Sequence, residues 1–260
     1  MAFIGIIPAR YASTRFPGKP LALIHGRPMV QWVYERACQA GLSQVAVATD
    51  DNRIRVAVLG FGGQVVMTSP NHRSGTDRCA EAARVLGASE EDVVVNIQGD
   101  EPFIQPDAIR LLTSQFDRPE VHIATLAKAF TGDENPQNPN MVKVVVAQNG
   151  RALYFSRSPI PYFRNEQLPP VHYKHVGIYA YRLSVLNELV QLPASPLEEA
   201  EKLEQLRWLD NGYDIFVRIC DYESIGIDTP EDLERAEKMT QFQNEAIVRP
   251  ETVSISVSAP

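Results

Sequence analysis

Ile6-Ile7-Pro8-Ala9-Arg10-Tyr11-Ala12-Ser13-Thr14-Arg15-Phe16-Pro17-Gly18-Lys19-Pro20-Leu21 is the stretch on which the reading of this chain turns. The apolar run from Phe3 to Ile7 predicts a buried strand. Pro8 is expected to end it, because proline has no N–H to give to a sheet ladder. Arg10, Arg15 and Lys19 then stand among small and polar residues, with a Pro17-Gly18 turn just before the lysine. Small residues let backbone N–H groups line a concavity, and three fixed positive charges around it suit a polyphosphate. A solvated basic surface would have the same composition. Two familiar phosphate loops are excluded. A Walker loop needs a hydroxyl residue after its Gly-Lys, where this chain has Pro20. Gly60-Phe61-Gly62-Gly63 follows a helical pattern and precedes a strand, which makes it a helix stop and not a dinucleotide fingerprint.

Outward from that stretch, strands and helices alternate. Met29 to Ala40 has apolar residues at helical spacing and is stopped by Gly41. Gln44 to Thr49 reads as a strand, and Asp50-Asp51-Asn52 can cap a helix from Arg53 to Leu59. Gln64 to Thr68 is a third strand, Ser74 or Thr76 caps a helix from Asp77 to Leu86, and Val93 to Ile97 is a fourth strand apolar on both faces. Strands separated by helices of this length pair in parallel through right-handed crossovers, giving a doubly wound α/β sheet. Ligands of such sheets sit beyond the carboxyl ends of the strands. The basic stretch, Thr49-Asp50-Asp51, Asn71 to Thr76 and Gln98-Gly99-Asp100-Glu101 should all meet there.

After Val121 the rhythm changes. Val121–Leu126, Met141–Ala147, Ala152–Ser156 and Val176–Tyr181 read as strands without a full helix between them, a mixed region suited to substrate specificity or subunit contact. Ser195-Pro196-Leu197-Glu198 and Thr229-Pro230-Glu231-Asp232 are capping-box helix starts. The first is expected to lead one helix that turns Leu203, Leu206 and Leu209 inward before stopping at Asn211-Gly212. A strand from Tyr213 to Ile219 follows, and the last helix should run to about Met239. We read residues 1–240 as one domain, with a ligand-binding part over about 1–120 and the mixed, specificity or subunit-contact region over about 121–220. Residues 241–260 read as a flexible tail.

At 260 residues, 44% hydrophobic and 22% charged, the chain is an ordinary globular protein. A net charge of -7 argues against nucleic acid or an anionic membrane as partner, while leaving room for a local basic pocket. Cys38, Cys79 and Cys220 are dispersed and odd in number, which fits a reducing compartment. The first apolar run is too short for a signal peptide, so the expected location is the cytoplasm.

Asp100 follows a buried strand and a glycine, so its carboxylate should face the ligand edge, as a Mg²⁺ ligand or as a turn acid. Asp228 precedes a helix start whose capping needs only Thr229 and Asp232, so it is a second ligand or incidental. At this point the sequence resembles a known family. The opening stretch from Ile7, Ser74-Gly75-Thr76-Asp77-Arg78, Asn96-Ile97-Gln98-Gly99-Asp100-Glu101-Pro102, Ala152-Leu153-Tyr154-Phe155-Ser156-Arg157, Lys202-Leu203-Glu204-Gln205-Leu206-Arg207 and Asp228-Thr229-Pro230-Glu231-Asp232-Leu233 closely resemble the 3-deoxy-manno-octulosonate (Kdo) cytidylyltransferases. The likeness runs from about Phe3 to Met239.

That resemblance implies a nucleotide-diphospho-sugar-transferase-like fold, a cytoplasmic homodimer, Mg²⁺, and transfer of CMP from CTP to Kdo for lipopolysaccharide assembly. It implies triphosphate contacts at Arg10, Arg15 and Lys19, with metal ligands at Asp100 and Asp228. Gln98, Arg73 and Ser74 are expected near cytosine and ribose. Arg157 is expected on the sugar carboxylate, as a bidentate partner. His175, Glu204 and Gln205 are expected on sugar hydroxyls, although His175 suits a structural role nearly as well. Glu204 and Gln205 point about 100° apart on a helix, so at most one should reach the sugar. Alternatives are a cytidylyltransferase for 8-amino-Kdo or sialic acid, and a catalytically silent nucleotide binder.

Overall fold

A computed structural model describes residues 1–12, 16–132, 134–164, 171–223 and 226–238. Arg15 and the tail from residue 241, both singled out above, lie outside them. The strands are β1 (Phe3–Ala9), β2 (Leu23–Ile24), β3 (Arg27–Pro28), β4 (Gln44–Thr49), β5 (Val65–Met67), β6 (Val93–Asn96), β7 (Ile123–Ala129), β8 (Lys143–Val146), β9 (Ala152–Ser156), β10 (Tyr173–Arg182) and β11 (Phe216–Ile219). The helices are α1 (Met29–Cys38), α2 (Asn52–Gly60), α3 (Gly75–Val85), α4 (Pro106–Thr113), α5 (Leu183–Leu189), α6 (Pro196–Glu201), α7 (Gln205–Asp210) and α8 (Pro230–Glu237).

One sheet runs β11-β7-β10-β6-β1-β4-β5. β1 pairs in parallel with β4 and β6, β4 with β5 and β7 with β11, while β10 is antiparallel to both its neighbours. β8 continues from β10 and carries β9 as a hairpin. The doubly wound, mostly parallel reading therefore holds, with antiparallel pairing brought into this sheet by β8, β9 and β10, the last lying directly against β6. Apolar side chains bury on both faces of the sheet. Val30, Val33, Ile109 and Leu112 belong to one cluster, and Cys79, Ala80, Leu186 and Trp208 to the other. A third, smaller cluster joins Ile24, Met29, Trp32, Phe103, Ile227 and Ala236.

Several expectations need correcting. Pro8 lies inside β1, in register with Ala48. The Ile97 amide donates to the Ile6 carbonyl, so Pro8, two residues on, faces the same edge beyond the last β6 pair, Ile6 with Asn96. A missing N–H removes no ladder bond there. The single helix expected after Ser195 is two. Lys202, at φ 52° and ψ 48°, ends α6 in the left-handed region, and α7 starts afresh at Gln205. The new register buries Leu203, Leu206 and Trp208, while Leu209 is only half-buried. Helices α4 and α5 were not foreseen.

Candidate active site

The opening loop is closed at its base. The Gly18 amide donates to the Tyr11 carbonyl at 2.9 Å, and Gly18 takes a φ of 74°, a conformation that costs other residues about 1–2 kcal/mol. The following turn of 3₁₀ helix (Lys19–Leu21) carries the lysine ammonium to the sheet's carboxyl edge. There Lys19 Nζ meets Asp100 Oδ2 at 2.7 Å and Asp228 Oδ1 at 3.1 Å, partners 81 and 209 residues distant in sequence.

Each aspartate is held by its own device. The turn after β6 presents Asp100, and Gly99 lets it pass close to β1, since a Cβ there would lie 3.0 Å from the Pro8 carbonyl oxygen. Asp228 arrives from the other end of the chain. The Ile227 amide donates to the Asp100 carbonyl at 2.9 Å, and the Ile227 side chain is fully buried in the third cluster. Burying an isoleucine contributes about 1.5–3 kcal/mol, enough to fix the segment. Thr229 caps α8, and the Asp232 carboxylate accepts from the Asp228 and Thr229 amides, which leaves the Asp228 carboxylate free to face Lys19. Burial alone would lower the Lys19 pKa, but Asp100 and then Asp228 outweigh it and hold the ammonium above its usual value.

Arg10, Lys19, Gln98, Asp100 and Asp228 line one cleft of about 420 Å³, floored by Pro8, Gly75 and Gly99. Arg10 Nη2 donates to the Ser74 carbonyl at 3.0 Å, tying the basic loop to the start of α3, where Ser74 and Asp77 form a capping box. Gln98 Nε2 donates to the Gly177 carbonyl at 3.2 Å. Gly177 lies where β10 shifts register against β7, a bulge between Val176 and Tyr179.

The other expected residues lie elsewhere. Arg73 and Ser74 line a separate hollow of about 250 Å³ with Asn71, His72 and Arg207. Arg157 donates to the main-chain carbonyls of Glu201 (2.6 Å), Pro139 (2.8 Å) and Lys202 (3.4 Å), so its guanidinium caps the end of α6 and does not line the cleft. His175 sits against Phe155 and Tyr179, with Nε2 at 3.1 Å from Thr125 Oγ1, and burial pushes its pKa down to about 3. It lines a further hollow with Asn140, Lys174 and Glu223. Glu204 accepts from Thr76 Oγ1 at 2.8 Å, and burial, partly offset by Thr76 and Ser74, raises its pKa. Gln205 is buried beside it.

The sequence reading passed over a polar cluster around Glu204. Asn96, Tyr179 and Tyr181 are buried, and the Asn96 Oδ1 and both tyrosine hydroxyls make no well-formed hydrogen bond, although Tyr181 lies near Thr76 and Glu204. Two signals pointed there. Asn96 interrupts an all-valine strand, and tyrosines two apart on a strand share a face.

A Mg²⁺ ion fits the paired aspartates. They already converge on one cation, the Lys19 ammonium, and offer only oxygen donors.

Such a cleft, at the carboxyl edge of a mostly parallel sheet with a basic loop and two acids, has the layout of a nucleotidyltransferase. The cytidylyltransferase family pattern matches residues 4–216. The 3-deoxy-manno-octulosonate cytidylyltransferase of Parabacteroides distasonis is 58% identical over 245 residues, covering 91% of this chain and 97% of that protein. Its namesake in Bacteroides thetaiotaomicron is 56% identical over 246 residues, covering 92% and 98%. A solved CMP:2-keto-3-deoxy-manno-octonic acid synthetase complexed with CTP superposes with a TM-score of 0.87 at 46% identity, covering 94% of this chain and all of that one. The chain belongs to the 3-deoxy-manno-octulosonate cytidylyltransferase family.

Proposed function

We propose that the protein transfers CMP from CTP to the anomeric hydroxyl of Kdo, releasing pyrophosphate, in the service of lipopolysaccharide synthesis. The observation that carries this reading is the meeting of Asp100, Asp228 and Lys19 in one cleft, in a chain whose relatives bear that enzyme's name. Arg10 and Lys19 flank the triphosphate and offset the charge that builds on departing pyrophosphate. Asp100 and Asp228 hold Mg²⁺, which when bound polarises the α-phosphorus and makes the sugar hydroxyl more acidic. Gln98, braced on Gly177, lies between the nucleotide end of the cleft and the β10 bulge. Glu204, which accepts from Thr76, offers a polar partner for a sugar.

The same proposal includes a cytoplasmic homodimer formed through the region after residue 120, where Leu153 and Tyr162 expose apolar surface. Among the described residues no helix is long and apolar enough to cross a membrane. Pyrophosphate release with CTP and Kdo, abolished by EDTA and restored by Mg²⁺, tests the reaction. Affinity for CTP without turnover would leave a nucleotide binder, and faster turnover of 8-amino-Kdo or sialic acid would change the acceptor. Light scattering tests the dimer.

A further inference from the structure

We infer that Lys19 is a stand-in cation: its ammonium occupies the seat between Asp100 and Asp228 until a divalent ion takes it, and then turns to the nucleotide phosphates. This rests on reading the two aspartates as the metal seat. The ammonium lies 2.7 and 3.1 Å from one oxygen of each carboxylate. Magnesium–oxygen bonds are about 2.0–2.1 Å long, so an ion bridging those oxygens and the ammonium cannot occupy the same space. Two cations that close would also repel strongly.

The surroundings allow the exchange. Lys19 begins a single turn of 3₁₀ helix, anchored behind by buried Pro20, and only its flexible stem needs to swing. The cleft it would swing into is lined by Arg10 and Ala12 on the loop side. Among the described residues that line the cleft, the only carboxylates are the two the ammonium already holds. Incoming phosphate oxygens would supply the missing partner. Metal and nucleotide then help each other bind: the metal frees the ammonium for phosphate, and phosphate removes the metal's competitor. Such coupling is reciprocal. In the empty protein the seat is available to metal only in the fraction of molecules whose lysine has left, which weakens apparent metal affinity by that fraction.

Manganese, followed by the EPR signal of the free ion, is titrated into the full chain without nucleotide. Lys19→Met and Lys19→Gln, which keep an unbranched stem one atom shorter and remove the charge, are expected to bind Mn²⁺ at least tenfold more tightly than the unaltered protein. Lys19→Arg, which keeps the charge, should bind as weakly as the unaltered protein. Adding a non-hydrolysable CTP analogue should tighten Mn²⁺ binding more in the unaltered protein than in Lys19→Met. Equal Mn²⁺ affinity in the unaltered, Met and Gln proteins overturns the stand-in role. The double variant Lys19→Met/Asp228→Asn separates this from the underlying reading. If it loses Mn²⁺ while the single variants show no gain, the metal seat survives and the stand-in role does not. If it binds as tightly as Lys19→Met, or if no variant binds, both fall.

Discussion

From Phe3 to Asn96 the chain lays down parallel strands whose ends carry charged residues on short turns. From Tyr173 to Trp208 one antiparallel strand and short helices carry polar groups into the interior, where Tyr179 and Tyr181 stack on each other and meet Trp208 edge-on. The first region presents charge at a partly exposed edge, and the second carries polar groups that burial pushes towards neutrality. Lys19 is held charged by its carboxylate neighbours. His175 and Glu204 are pushed by burial towards their uncharged forms. A triphosphate calls for the first arrangement, and a polyhydroxylated acid for a mixture of the two.

The comparison can be broken at four points. Asp228→Asn should show the largest effect, a loss of kcat/KM of at least about a hundredfold, since a metal's Lewis-acid contribution is several kcal/mol. Its thermal midpoint should stay within about 2 °C of the unaltered protein, because the side chain is half exposed. Near-normal turnover would remove Asp228 from the chemistry. Arg157→Ala should come next, losing about 2 kcal/mol of stability in urea as three carbonyls lose a charged donor. If it instead leaves stability alone and raises only the KM for the sugar acid, Arg157 serves the substrate and the contrast between the regions weakens.

His175 gives a smaller, pH-dependent effect. Its folded pKa of about 3 lies below the unfolded value of 6.5, so its contribution is present above pH 6.5 and is lost as pH falls towards 3. The loss is at most about 1.4 kcal/mol per pH unit. In His175→Gln that part of the acid limb should flatten, and urea midpoints that fall in parallel for both proteins would mean the ring is not sequestered. Lys202→Gly should show the smallest effect, a gain of about 0.5–1 kcal/mol from relief of the left-handed φ at the end of α6. A loss there would mean the lysine side chain outweighs its backbone strain.

The same divide governs what the sequence makes legible. Capping boxes at Ser195 and Thr229 are local chemistry and appear where the sequence places them, and of the two caps open at the start of α3 the structure uses Ser74. Lys19 and Asp100 meet where the strand ends of a parallel sheet share one edge, whereas nothing but family resemblance places Asp228, well past β11, beside them. The break at Lys202 was not legible, since a lysine carries no signal for a left-handed turn and the leucine spacing continues across it. Helix α4 begins at Pro106 with no side-chain cap, only the proline and Asp107 marking its start, and α5 follows β10 directly with no cap at all. Arg157 shows what charge alone leaves out: a guanidinium at a strand end suits a carboxylate, and its sequence gives no sign of the three main-chain carbonyls, from two distant segments, that it also holds.

Asp228 reaches the cleft only through the segment after β11, pinned by Ile227 to the third cluster and to the Asp100 carbonyl. During synthesis every sheet strand is complete before that aspartate leaves the ribosome. A chain that ends before Ile227 would therefore keep Lys19 and Asp100 and lose the second carboxylate that faces the lysine, so the closing of this cleft is the last event the order of the chain permits.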